Sequence, residues 1–209
     1  MPANLLEDRD YTIIIARSEG SRDPEHPWYE EWVEAQASLI DLAKKCQEFD
    51  SDGLTVYEAS TPMWKYKNSN VGRLAQILQR QNTEPDSANP TAINLAEPLK
   101  GALSDYFKLK TNAKGKKGAI IVAVLDEKPE NAAAVAEIIV SAANKIDKDE
   151  ELGVSFIQIG DDLQTRKFLT DLDKNLQAQG AKFDIVDTKF WHEIKRSSVV
   201  QFLIGAIND

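Results

Sequence analysis

The chain has 209 residues, 42% hydrophobic and 28% charged, a length and balance that fit one globular domain able to bury about 70% of its unfolded surface without disulfides or structural metal. A formal net charge of −9 argues against a nucleic-acid partner, which needs clustered Lys and Arg free of competing carboxylates. The single cysteine, Cys46, cannot pair within the chain, residues 1–8 lack the basic and apolar regions of a secretory leader, and the longest apolar run, residues 118–125, falls short of the roughly 20 residues that span a bilayer. No membrane span and a cytoplasmic location are the expectations.

In chain order, residues 11–16 form a β-branched run without alternation, which predicts a strand covered on both faces. It enters a turn of small polar residues, Arg17-Ser18-Glu19-Gly20-Ser21, and a loop over residues 19–27. Trp32, Ala35, Leu39, Leu42, Cys46 and Phe49 then recur at helical spacing, with residues 50–53 as the stop. Residues 54–59 read as a second strand. Residues 63–67 follow Thr61-Pro62 too closely for a crossover helix and predict an antiparallel edge strand, whose lysines suit an exposed sheet edge. A short helix over residues 71–79 and a loop over residues 81–90 follow.

Leu95, Leu99, Ala102, Leu103, Tyr106 and Phe107 mark the next helix, and residues 119–125 a buried strand. Val135, Ile138, Ile139, Ala142, Ala143 and Ile146 predict another helix, residues 154–159 a strand, and Phe168, Leu169, Leu172 and Leu176 a further helix. A last parallel strand is predicted over residues 181–186, and a C-terminal helix carries Phe202, Leu203, Ala206 and Ile207. Helices separating parallel strands define an α/β fold: one domain over residues 1–209, with a doubly wound, mostly parallel six-stranded sheet. One short antiparallel strand lies at its edge and helices cover both faces. Such Rossmann-like sheets bind ligands beyond the carboxyl ends of their strands.

Five segments in this order, residues 9–15, 42–57, 149–160, 180–187 and 206–209, carry a resemblance to the von Willebrand factor A (vWA) domain, and within it to small bacterial cytoplasmic proteins that are little more than that domain. The resemblance covers nearly the whole chain. It implies a metal-ion-dependent adhesion site built from an Asp-x-Ser-x-Ser turn, a Thr before a later helix and an Asp after the fourth strand, whose hard oxygens suit Mg²⁺ or Mn²⁺. Carried over position by position, the first Asp falls at Ala16, the serines at Ser18 and Gly20, with Ser21 one residue late. The Thr falls at Ile93, with Thr91 nearby, and the last Asp at Asp126, followed by Glu127. A cation is normally held with the help of one or two carboxylates, and here one acid and one hydroxyl remain. The resemblance therefore implies a degenerate site: no cofactor is expected, Mg²⁺ is disfavoured, and Ser18 and Asp126 are the residual candidates, with Glu19 and Glu127 able to substitute from new angles.

The expected task is a non-enzymatic protein–protein interaction or scaffold role, with Ser18, Ser21, Trp28 and Asp126 as contact residues of the rim and a protein as partner. The alternatives are a metal- or phosphate-dependent small-molecule site at the same rim, or a structural subunit of an assembly. Residues 17–22 could nest a phosphate, although they match neither glycine-rich phosphate motif. Trp28 and Trp32, four apart, are expected to share a helix face, in the core or as interface anchors. Asp161-Asp162 belongs to the rim, where a cap of the next helix is its ordinary role. His26 and His192 are expected at the surface and Cys46 as an inert buried thiol. Lys108, Lys110, Lys114, Lys116 and Lys117 read as a solvated turn at the opposite end.

Overall fold

The computed structural model describes residues 5–50, 52–82, 93–111, 116–194 and 198–208. Its six strands are β1 (Arg9–Ala16), β2 (Leu54–Glu58), β3 (Trp64–Ser69), β4 (Gly118–Leu125), β5 (Leu152–Gln158) and β6 (Val186–Phe190). They form one sheet in the order β3-β2-β1-β4-β5-β6, parallel throughout except for β3. The apolar runs that lack alternation fill the middle: β4 and β5 are buried at every position, as parallel strands covered on both faces must be.

Among the described residues, seven helices cover the sheet: α1 (Tyr29–Phe49), α2 (Val71–Arg80), α3 (Ala96–Thr111), α4 (Ala132–Ala143), α5 (Leu163–Asn175), α6 (Trp191–Ile194) and α7 (Val199–Gly205). Because successive side chains leave a strand on opposite faces, Ile14, Ile121, Ala123, Val154 and Phe156 pack under α3, α4 and α5. Ile13, Ile15, Val122, Val124 and Ile157 pack under α1, α2 and α7. After β1 the chain steps outward to β2, and it returns to the other side of β1 for β4. This reversal of strand order is the place where open α/β sheets form a crevice. The register aligns Ala16 with Leu125, so the residues after both strands emerge side by side.

Two segments differ from expectation. The last strand is Val186–Phe190, later than residues 181–186. Gly180, at φ +101°, turns the chain, and Ala181 and Ile185 are buried as plugs ahead of the strand. The polar Asp187-Thr188-Lys189 is tolerated because β6 is an edge strand, and the Thr188 N–H donates to the Asp173 carboxylate at 2.9 Å. The short helix α6 was not foreseen, since four residues carry no period. At the amino end of the sheet the lysines are partly neutralised: Lys110 meets Asp147 at 2.8 Å and Glu151 at 2.6 Å, and Lys116 meets Asp50 at 2.6 Å with Asp10 and Asp52 at 3.3 Å. Lys114, Thr91 and most of the loop expected over residues 81–90 lie outside the described residues.

Candidate functional site at the carboxyl rim of the sheet

The crevice between β1 and β4 holds Ser18 and Asp126, whose residues are 3% and 0% exposed. They bind each other. The Ser18 N–H donates to Asp126 Oδ1 at 2.9 Å and the Ser18 hydroxyl donates to Oδ2 at 3.0 Å. The indole N–H of Trp32, one turn into α1, donates to the same Oδ2 at 2.8 Å. A buried Trp needs an acceptor for its N–H and a buried carboxylate needs donors; each supplies the other. Asp126 thus receives three hydrogen bonds from protein donors.

Ser21, one residue late for the adhesion-site pattern, is folded back by a 3-10 turn over Gly20–Arg22. Its hydroxyl donates to the Ser18 carbonyl at 3.0 Å, and its N–H reaches the Ser18 hydroxyl at 3.4 Å. Arg17 lies inward, 5% exposed, donating to the Ser21 carbonyl at 2.6 Å and to Asn82 Oδ1 at 2.7 Å. Its guanidinium faces the rings of Tyr29 and Trp32 at 5.4 and 5.3 Å. Burial pulls the Arg17 pKa down to about 10, and the Asp126 charge opposes that pull. Asn82 is fixed in turn by Gln36 through bonds of 2.6 and 2.9 Å. The crevice therefore carries its own cation, held between aromatic faces. With Arg17 spent inside the fold, residues 17–22 lack the outward pair of arginines that a phosphate nest would use.

The positions corresponding to the family's first Asp and Thr are apolar and join one cluster: Ala16 and Ile93 are buried together with Leu125 and Val135. Gly20 offers no side-chain oxygen. As arranged, this donor set does not fit a hard divalent cation, which needs several oxygen lone pairs aimed at one point. Among the described residues, no group of three or more His, Cys, Asp or Glu side chains converges as a metal site.

Above this buried layer lies a rim of different composition. Trp28 immediately precedes α1 and stays half-buried, whereas Trp32 is 1% exposed. The two tryptophans expected to share a face therefore separate into a rim residue and a buried donor. The Trp28 ring lies on Gly160, where an added Cβ would come within 2.5 Å of it. Its indole N–H donates to Asp161 Oδ1 at 3.3 Å, and the His26 ring meets it edge-on at 5.0 Å. The Gly160 N–H donates to Glu31 at 2.8 Å. Asp162 caps α5 by accepting from the Thr165 N–H at 2.6 Å, the role expected for it.

Of the four proposed contact residues, Ser18, Ser21 and Asp126 lie beneath the surface and Trp28 is the one in the rim. The sequence reading gave Trp32 to the core or an interface and Arg17 to a candidate phosphate nest, and foresaw neither beside Asp126. The apolar stripe on which Trp32 stands was the available signal for its burial; for Arg17 nothing in the sequence set the inward direction it takes, donating to Ser21 and Asn82. Elsewhere, His26 is half-buried and His192 exposed. Cys46 is buried, and burial pushes its thiol well above the usual range.

Glu127 is exposed at the rim, yet its carboxyl is raised, first by partial desolvation and then by Asp126, against the opposing effects of the Ser18 hydroxyl and His26. A carboxyl raised on folding favours the fold below its unfolded value, and that contribution is lost as pH climbs through the folded value. Glu127→Gln is accordingly expected to raise the thermal midpoint at pH 7 and to lose that advantage near pH 3, which melting curves at the two pH values would check.

No family model matches the sequence, and no curated protein does. Among solved structures, the chain is similar to proximal thread matrix protein 1 from the mussel byssus, with a TM-score of 0.53 and 18% identity over 95% of this chain and 48% of that one. It is also similar to the manganese-loaded TRAP protein of Plasmodium vivax, with a TM-score of 0.47 and 13% identity over 95% of this chain and 74% of that one; that likeness is too distant to carry weight. The chain spans about half the length of the byssus protein. At such identity the likeness bears on the fold, which is vWA-like: a mostly parallel six-stranded sheet with one antiparallel strand and helices on both sides. No helix among the described residues is long and apolar enough to cross a membrane.

Proposed function

We propose that this vWA-like chain is a non-enzymatic protein-interaction or scaffold module, cytoplasmic, whose carboxyl-rim surface works without a divalent cation. The observation that supports it is the closure of Asp126 by Ser18 and Trp32, with the Arg17 guanidinium nearby as counter-charge. In this role the buried layer is a brace. It fixes the turn after β1, the start of α1 and the turn after β4 relative to one another, so that the rim above is preorganised, and preorganisation reduces the ordering cost of binding.

The test is affinity capture from cell extract with Mg²⁺ present and with a chelator. A stoichiometric partner retained equally in both and lost from Trp28→Ala is the expected result. Micromolar Mg²⁺ or Mn²⁺ binding by calorimetry, abolished in Asp126→Ala, would sink the metal-free proposal.

A further inference from the structure

On one face of the sheet α3 and α4 lie side by side and leave a groove between them. Their amino ends are tied by the Asn131 side-chain amide, which donates to Asn94 Oδ1 at 2.6 Å, and their carboxyl ends by Lys110, which meets Asp147 at 2.8 Å. The two helices therefore run parallel. The groove holds about 1210 Å³ and is walled by these helices and the turn after α4; among the described residues no other element covers it. Leu103, Phe107, Ile138 and Ala142 form its floor, with Phe107 and Ile138 half-buried. Over Ala132–Ala143, α4 carries a single charge, Glu137, whereas an outer helix ordinarily sets a charged face against water.

The charges on the walls are nearly balanced in number, three acids and four lysines, but they are separated along the groove. Glu97 and Glu137 belong to the amino half, and Lys108 and Lys145 to the carboxyl end. Lys110, also at that end, is taken up by Asp147 and by Glu151 at 2.6 Å, and Lys100 stands between the two ends. Asp105, also on α3, is turned to Lys65 at 2.5 Å. Among the described residues, Glu97, Lys100, Lys108, Glu137 and Lys145 enter no ion pair; the Lys145 ammonium lies 5.8 Å from the centre of the Phe107 ring. A strongly basic or strongly acidic partner would be repelled at one end. The same surface turned end for end meets no such conflict, because its acidic end then faces its lysine end.

We propose that the occupant of this groove is a second copy of this chain, related by a two-fold axis perpendicular to the helices. The α3 and α4 helices of one copy lie antiparallel on those of the other, as a four-helix bundle whose core is the two apolar floors. Pairing centred on Ser141 sets Glu137 of each copy opposite Lys145 of the other, and the same axis brings Glu97 toward Lys108. Burial of the floors supplies the attraction, while the charge pairs, modest and screened by salt, set direction and offset. For a chain with a net charge of −9, this balanced face lets two copies meet without gathering like charge. The arrangement points the two carboxyl rims in opposite directions, so the dimer is a bridge with two ends. It does not depend on the role given to the rim.

Sedimentation equilibrium of the full chain over a range of concentrations reads the association. A monomer–dimer equilibrium is expected, weakened about tenfold by Glu137→Lys and likewise by Lys145→Glu, because each substitution sets like charges opposite one another twice. Mixing these two variants is expected to restore the dimer, since opposite signs then meet at both positions. Ile138→Arg, which sets an unpaired charge in the floor, is expected to leave a monomer. The charge variants alter exposed side chains, and unchanged melting curves verify their folding; should Ile138→Arg fold poorly, the mixing experiment decides. A chain that stays monomeric up to its solubility limit overturns the proposal. So does a dimer that the three substitutions leave intact, or a pair of charge variants that does not recombine. Capture of a rim partner is read in a separate experiment, and none of these results alters it.

Discussion

Asp126→Asn is expected to destabilise the protein by about 3 kcal/mol, the scale on which a buried charged acceptor is lost while its donors remain. The substitution preserves volume. It replaces one acceptor oxygen by an NH₂ group, which must then face either the Ser18 N–H or the Trp32 N–H, both donors to the carboxylate in the native fold. It also removes the charge that helps to hold the buried Arg17 guanidinium. Trp32→Phe keeps the ring over Arg17 and deletes one donor; it should cost about 1.5 kcal/mol, the lower end for a hydrogen bond to a charged group. Because the two substitutions share one hydrogen bond, their effects should not add. Urea denaturation of the single and double variants gives the coupling. An Asp126→Asn variant as stable as the parent would mean that the network is not the brace described.

The fold was legible because it is written in patterns that one physical cause dominates. Unbroken apolar runs rich in Ile and Val, such as residues 119–125, read as strands covered on both faces, and the stripe from Trp32 to Phe49 holds helical spacing for about five turns. Where short-range pattern gives way to tertiary context, legibility fell. The strand Val186–Phe190 is polar because an edge strand is half solvated, and the better-looking run just before it is a plugged turn.

The crevice shows the same division more sharply. Ala16, Gly20 and Ile93 state in the sequence which ligand oxygens are missing, since a residue without an oxygen cannot coordinate. They do not state what occupies the space instead. That answer depends on Trp32 reaching Asp126 from 94 residues away and on Arg17 folding under two rings, contacts that only the assembled layers create. Burial likewise reassigned Ser18, Ser21 and Asp126 from the contact surface to the layer beneath it, leaving Trp28 with the neighbouring acids on the outside.

Gly160→Ala should separate that outer layer from the inner one. Two costs are superposed at this position. Gly160 sits at φ +72°, in the left-handed region where an L side chain costs about 1–2 kcal/mol, and its Cβ would enter the Trp28 ring at 2.5 Å. Gly180→Ala isolates the first cost, because Gly180 has φ +101° with nothing within 4 Å of an added Cβ. The two variants should therefore share a backbone penalty, and Gly160→Ala should exceed Gly180→Ala by the displacement of Trp28, a further 1 kcal/mol or about that for lost packing. Displacement has its own signature: acrylamide quenching of tryptophan fluorescence should increase in Gly160→Ala and not in Gly180→Ala, and the difference should vanish when both are made in a Trp28→Phe background. The buried pair of Ser18 and Asp126 does not touch Gly160 among these contacts, so partner capture should be impaired in Gly160→Ala while the Trp32 indole N–H stays protected from hydrogen exchange. If that proton becomes exchangeable as well, the rim and the brace are one cooperative unit, and a single substitution cannot uncouple recognition from the fold that supports it.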